Sequence, residues 1–321
     1  MAFLPRWKSK TKNEIAAGAT ADDRSKAQTR GFTFGARRLG DVCSMKVITW
    51  NVNNRLGVVS QQVQVLGLRE PDVVALQDVN DNAVSRYIEA FHLIGLPHVL
   101  HTRERQHKAV PTGVLLASRF PLTLLPDVPE SVLWSQGHYT PDREKLRQHW
   151  TRRTLFALLE SPWGAIEVAN VYITPGNHFE KDANGGRKLY PYLKLDLCAG
   201  IYQTLATPAH RPRLLCGDFN APQHEHENGE IVTWGYVKRR SGYILKDSRQ
   251  HELELRMLQA LSTHDLHDVY RRLHGYAEQT REEGWSWSCR ERLSIVLITS
   301  LPPRCFSPCM RSTSTPSSNF T

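Results

Sequence analysis

The chain has no run of about 20 apolar residues, the length a helix needs to cross a bilayer. Its six cysteines, at 43, 198, 216, 289, 305 and 309, include no Cys-x-x-Cys pair. The first absence excludes a helical membrane span. The second argues against a zinc knuckle or a dithiol redox centre. No apolar segment follows the basic start, so no secretory signal is expected, and the expected setting is soluble and cytoplasmic, with reduced thiols. From 292 to 321 acidic residues are missing altogether, while Pro, Ser, Thr and Cys accumulate.

What is present suits a globular enzyme or binding domain. Of 321 residues, 40% are hydrophobic and 23% charged, enough for a sizeable core. The net charge of +9 invites a nucleic-acid reading, but the excess sits at the ends. Residues 45–291 hold 29 Lys/Arg against 28 Asp/Glu, so a basic face on the body has to be a local patch.

Composition divides the chain in three. Residues 1–44 are basic, poor in aliphatics, and expected to be a disordered extension, with Met45 a candidate natural start. Residues 45–291 form the expected domain, and 292–321 an aberrant tail. Within the domain, apolar spacing predicts helices over 59–68, 81–92, 190–205, 253–261 and 266–273, and a long surface loop over 127–150.

The most informative stretch is Leu214-Leu215-Cys216-Gly217-Asp218-Phe219-Asn220-Ala221-Pro222. An apolar run stops at a glycine, a carboxylate and an amide and then breaks at a proline. This pattern predicts a buried strand that presents polar groups at a sheet rim. Two residues apart, Asp218 and Asn220 share one face of an extended chain, where they can hold a water or a phosphate oxygen. Two other apolar strands end in the same way. Lys46-Val47-Ile48-Thr49-Trp50 runs into Asn51, and Val73-Val74-Ala75-Leu76-Gln77 runs into Asp78. A fourth, 165–172, ends at Tyr172 and continues to His178. The His224-Glu225-His226-Glu227 stretch reads as a solvated loop.

These strand ends, in this order, resemble the endonuclease/exonuclease/phosphatase superfamily, with its deoxyribonuclease-I-like fold. Asn170-x-Tyr172-x-x-x-Gly176 and Asp268-Val269-Tyr270-Arg271 are similar to its exonuclease III and abasic-site endonuclease branch. The resemblance covers 45 to about 291 and implies a four-layer α/β sandwich, two packed β-sheets flanked by helices, with the last strands lost. It implies a divalent-metal-dependent phosphodiester hydrolase, most plainly a nuclease. A lipid or small-molecule phosphatase and an inactive remnant stand as alternatives. Mg2+ or Mn2+ would be held by Asn51 and Asp78. Asp218, Asn220 and Tyr172 would be catalytic, and Arg119, Asn170, His178 and Trp287 would contact the phosphate or substrate. Arg119 also reads as a turn residue. The implied partner is nucleic acid, DNA more than RNA, bound by a monomer.

Two departures stand out. Position 78 carries Asp where the family has Glu, which withdraws the carboxylate by about 1.3 Å and favours Mn2+ over the tighter Mg2+ shell. The family's Arg-x-Asp-His and closing Asp-His are absent. Residues 297–303 can be encoded by bases that in another frame read Asp-His-Val-Phe-Ala-Ser, so a shifted reading frame is expected from about 293.

Overall fold

In Lys46-Val47-Ile48-Thr49-Trp50 successive side chains point to opposite faces, yet Val47 and Ile48 are both fully buried. A strand buried on both faces belongs inside a layered structure. The computed structural model describes residues 30–38, 41–103, 111–128, 143–175, 179–181, 187–189, 191–264, 266–269, 271 and 295–299. Its first sheet is built from β1 (Arg30–Arg38), β2 (Asp41–Asn51), β3 (Val73–Asn80), β4 (His98–His101) and β5 (Thr112–Ser118), in the order β1-β2-β3-β5-β4. Strands β2 and β3 are parallel, joined through helix α1 (Val59–Gly67). Helix α2 (Val84–Leu93) follows β3.

The second sheet contains β6 (Leu122–Leu124), β7 (Thr154–Ser161), β8 (Gly164–Tyr172), β9 (Arg213–Asp218), β10 (Leu266–Asp268) and β11 (Ile295–Thr299). Its order is β10-β11-β9-β8-β7-β6, with β8 and β9 parallel. Helices α3 (Arg143–Arg153), α4 (Pro191–Ala206) and α5 (Ser248–Leu258) belong to this half.

Three apolar clusters trace the layers. Val63, Leu66 and Phe91 of the first two helices pack on Ile48, Val74 and Leu115. Val73, Ala75 and Leu116 meet Leu155, Val168 and Leu214 between the sheets. Trp150, Leu197 and Met257 cover Val171 and Leu215 from the far side. The result is the helix–sheet–sheet–helix sandwich expected from the sequence. Parallel strands linked through helices force this layering, because each apolar sheet face needs a cover.

Several local expectations change. The long loop over 127–150 is not all loop, because α3 starts at Arg143. Leu146, His149, Trp150 and Arg153 recur at helical spacing and are all buried there, a face hidden in the sequence by its many charged neighbours. The helix expected over 266–273 begins instead as β10, which pairs with β11. Strand β1 lies within the expected disordered extension and pairs with β2 from Arg30 opposite Thr49 to Arg38 opposite Asp41. Strand β11 lies within the expected tail and continues the sheet beside β9, Ile298 facing Leu214. Backbone pairing makes little demand on composition, which is why neither strand was visible in it.

Candidate functional site

The parallel pairs bring their polar ends to one rim. Asn51 is level with Gln77 on β2 and β3, and Tyr172 is level with Asp218 on β8 and β9. Between sheets, Asn51 Nδ2 donates to Asp218 Oδ2 at 2.5 Å. Both residues are buried, at 5% and 2% exposure. Asn51 Oδ1 accepts from the Asn53 backbone at 2.8 Å, and Asp218 Oδ1 accepts from the Asn220 backbone at 2.9 Å. The carboxylate is therefore fixed at both oxygens. Gly217 makes the close approach of β8 and β9 possible, since a Cβ there would lie 2.3 Å from the Val171 carbonyl oxygen.

Asp78 reaches the rim through a β-bulge. On β3, Val74 and Leu76 face the helices, and so does Val79. The register against β5 shifts between Leu76 and Val79. Two residues, Gln77 and Asp78, are thereby turned off the helix face where a regular strand would turn one. Asp78 takes a left-handed φ of 56°, which Asp tolerates better than most residues. It is 9% exposed, and among the described residues nothing hydrogen-bonds or ion-pairs its carboxylate. No group of three or more His, Cys, Asp or Glu capable of holding a metal occurs among the described residues. The donors that do fit a divalent ion are the Asp78 carboxylate and the free lone pair of Asn51 Oδ1, both hard oxygens suited to Mg2+ or Mn2+.

Asn220 is held in a left-handed backbone, φ 46°, with its amide donating to the Ile173 carbonyl at 2.8 Å. Its own carbonyl accepts from Lys194 Nζ at 2.9 Å. Lys194 is fully buried and pairs with Glu254 Oε1 at 2.7 Å, and Glu254 Oε2 accepts from the Trp234 backbone at 3.0 Å. Helices α4 and α5 thus meet in an ion pair whose cation reaches the loop carrying Asn220. The nearby Cys198 thiol is pushed up to about 12, mainly by burial, and the Cys216 thiol is raised further by the same cause. Neither is a nucleophile at neutral pH.

Tyr172, 5% exposed, lies under a cation: the Arg153 guanidinium carbon is 4.5 Å from its ring centroid. Arg153 is 6% exposed, and its Nε donates to His149 Nδ1 at 3.3 Å. Its Nη1 is buried with no hydrogen-bond partner among the described residues. With no carboxylate paired to it among the described residues, this buried guanidinium keeps a donor that could receive an anion. Its neighbour Arg152 differs, being tied to the Thr102 carbonyl and the Asp81 carboxylate.

Two expected substrate contacts have other roles. Asn170 is fully buried, and its Nδ2 donates to the Leu76 and Leu115 carbonyls at 3.0 and 2.9 Å. Its Oδ1 accepts from Gln77 Nε2 at 2.8 Å, so the amide ties the two sheets together. Arg119 lies at the wrong end of the strands. Ser118 pairs with Val73 at the start of β3, because β5 runs antiparallel to it, and Arg119 Nε bonds Asp72 Oδ1 at 3.3 Å. It is a turn residue. His178 and Trp287 lie outside the described residues. Arg153 and Lys194 escaped the sequence reading. The available signal was a cation in each case on an apolar helix face, three after Trp150 and between Leu193 and Leu195.

Comparison with known families matches residues 48–308 to the model of the Endonuclease/Exonuclease/phosphatase family. The chain belongs to that family, one of phosphate-ester hydrolases. An AP endonuclease from Archaeoglobus fulgidus is 21% identical, with a TM-score of 0.47 over 79% of this chain and 86% of that one. A 3′ phosphatase from Neisseria, solved with a product DNA hairpin, is 20% identical, with a TM-score of 0.47 over the same shares. The human Nocturnin catalytic domain is 12% identical, with a TM-score of 0.48 over 85% of each chain. Comparison with curated proteins gives no match. No helix of the described residues is long and apolar enough to cross a membrane.

Proposed function

We propose that this chain is a divalent-metal-dependent phosphodiester hydrolase acting on nucleic acid, with DNA preferred to RNA. The observation that carries the reading is the Asn51–Asp218 bond between two sheets, which fixes a buried carboxylate at the strand ends, while Asp78 stands next to Gln77, the residue level with Asn51. Asp218 orients and deprotonates the attacking water, and Asn220 sets the loop that frames it. The Arg153 guanidinium and the Tyr172 phenol take the phosphate oxygens as negative charge builds there. Asp78 and Asn51 would hold a divalent ion, which when bound would supply Lewis-acid stabilisation of that charge.

The test compares hydrolysis of an aryl phosphodiester and of a nicked or abasic duplex, each with Mg2+, with Mn2+ and with chelator. Metal-dependent turnover of both, favouring the duplex, is expected. Equal rates with chelator and with metal overturn the mechanism.

A further inference from the structure

Residues Tyr236–Arg239 and Gly242–Leu245 form a two-stranded antiparallel ribbon that belongs to neither main sheet. Lys238 faces Tyr243 and Arg239 faces Gly242, with Arg240 and Ser241 at the turn. Lys238, Arg239, Arg240 and Lys246 are exposed, and 236–246 contains no acidic residue. None of these four cations pairs with a carboxylate among the described residues. On a body whose net charge is near zero, such a concentration is local and unneutralised.

The ribbon is rigidly mounted. Lys246 and Asp247 backbones donate to the Gly235 carbonyl at 2.8 and 3.0 Å. A Cβ on Gly235 would lie 2.4 Å from the Asp247 carbonyl oxygen, so only glycine closes this root. The Tyr236 ring stands edge-on to His251 of α5 at 5.0 Å. The adjoining Trp234 backbone bonds Glu254, the residue that holds Lys194 against Asn220. The root therefore shares one buried network with the candidate site. On the ribbon itself, Tyr243 stacks on His224 at 5.8 Å, and Lys238 Nζ lies 5.8 Å from the same ring.

We infer that this ribbon grips the sugar-phosphate backbone of the nucleic acid whose phosphodiester the rim hydrolyses, an inference that rests on the function proposed above. Unpaired, exposed cations on a rigid support gain affinity by releasing counterions from the phosphates, with little ordering cost to the protein. A two-stranded ribbon also has the width that the major groove of duplex DNA admits. The distribution of apolar surface argues against insertion into a membrane. Ile244 and Leu245, 48% and 44% exposed, sit opposite Val237 and Tyr236 toward the root, while the tip that would enter a bilayer carries Arg239 and Arg240.

The experiment uses the full chain with Lys238, Arg239 and Arg240 all replaced by Ser. All three are exposed and unpaired, so the fold should survive, which circular dichroism checks. Binding to a short labelled duplex is read by anisotropy across a salt series, and aryl phosphodiester hydrolysis is measured in parallel. Duplex affinity should fall about tenfold or more, and the slope of log affinity against log salt should shrink by roughly 2 to 3. Aryl ester turnover should stay unchanged. Unaltered affinity and slope in the variant, or no duplex binding by the parent chain, overturns the inference. So does loss of binding to phosphatidylserine vesicles with duplex binding intact. Failure of the parent to hydrolyse the aryl ester counts against the proposed chemistry instead, and the binding arm still decides the ribbon.

Discussion

The side-chain amide of Asn51 donates to Asp218 Oδ2 across 167 positions of sequence, joining the end of β2 in one sheet to the end of β9 in the other. One bond thus couples sandwich geometry to site geometry. Asp218→Asn removes the charge that activates a water and sets an amide nitrogen against one of the two N–H donors, of Asn51 or Asn220, that the carboxylate accepts. We expect kcat to fall by about 10²-fold or more, and the melting temperature to fall as well, because one buried donor loses its acceptor. Asn51→Ala should also cost stability, about 1–3 kcal/mol, because a buried carboxylate loses a donor. Full activity in Asp218→Asn removes Asp218 from the reaction.

Asp78 provides a metal test that does not depend on turnover. Mn2+ should raise the melting temperature of the parent chain, since an ion bound only by the folded state stabilises it. The rise should vanish in Asp78→Ala. Asp78→Glu is expected to melt lower than the parent without metal, because Glu tolerates the left-handed φ of 56° less well than Asp. With the longer reach, its use of Mg2+ relative to Mn2+ should improve. A drop in Mg2+-dependent rate would show that the carboxylate is placed differently.

Lys194 links packing to the site. Lys194→Met leaves the Glu254 charge without its cation at 1% side-chain exposure, with the Gln250 amide and the Trp234 backbone still donating to it, and should cost about 3–5 kcal/mol. Adding Glu254→Gln should recover most of that stability. The double variant still lacks the donor to the Asn220 carbonyl, so its kcat should remain low while KM is restored. Recovery of kcat together with stability would make Lys194 purely structural.

His224 titrates below its ordinary value, first because of burial and then because of His226 and Lys238, with Glu225 opposing. The folded state therefore takes up this proton less readily than the unfolded chain. Its contribution to stability is complete above the unfolded pKa near 6.5 and is lost as pH falls toward the folded value. Lys238→Ala should move the His224 titration upward when followed by NMR. A downward move contradicts the assignment of Lys238 as one of its perturbers.

The family's strand ends were legible because each is a local pattern. Apolar runs closed by Asn51, Asp78, Tyr172 and Asp218 predict buried strands with polar tips whatever the surrounding fold. Helices α1, α2 and α4 were legible for the same reason, from apolar residues at helical spacing. Arg119 shows the limit of that logic. Its motif reads the same at either end of a sheet, and only the antiparallel course of β5 puts it beside Asp72 rather than at the rim.

By itself, then, the sequence determined which residues would be buried, which strands would end in polar groups and which layers had to cover them. These follow from periodicity and burial within a few residues of chain. Tertiary structure decided the partnerships. The Asn51–Asp218 bond, the turn of Asp78 off the helix face, the spare donor of Arg153 over Tyr172 and the Lys194–Glu254 pair all depend on where distant segments meet. Hydrogen bonds and ion pairs act over a few ångströms in space, and nothing in the spacing of residues along the chain encodes that distance.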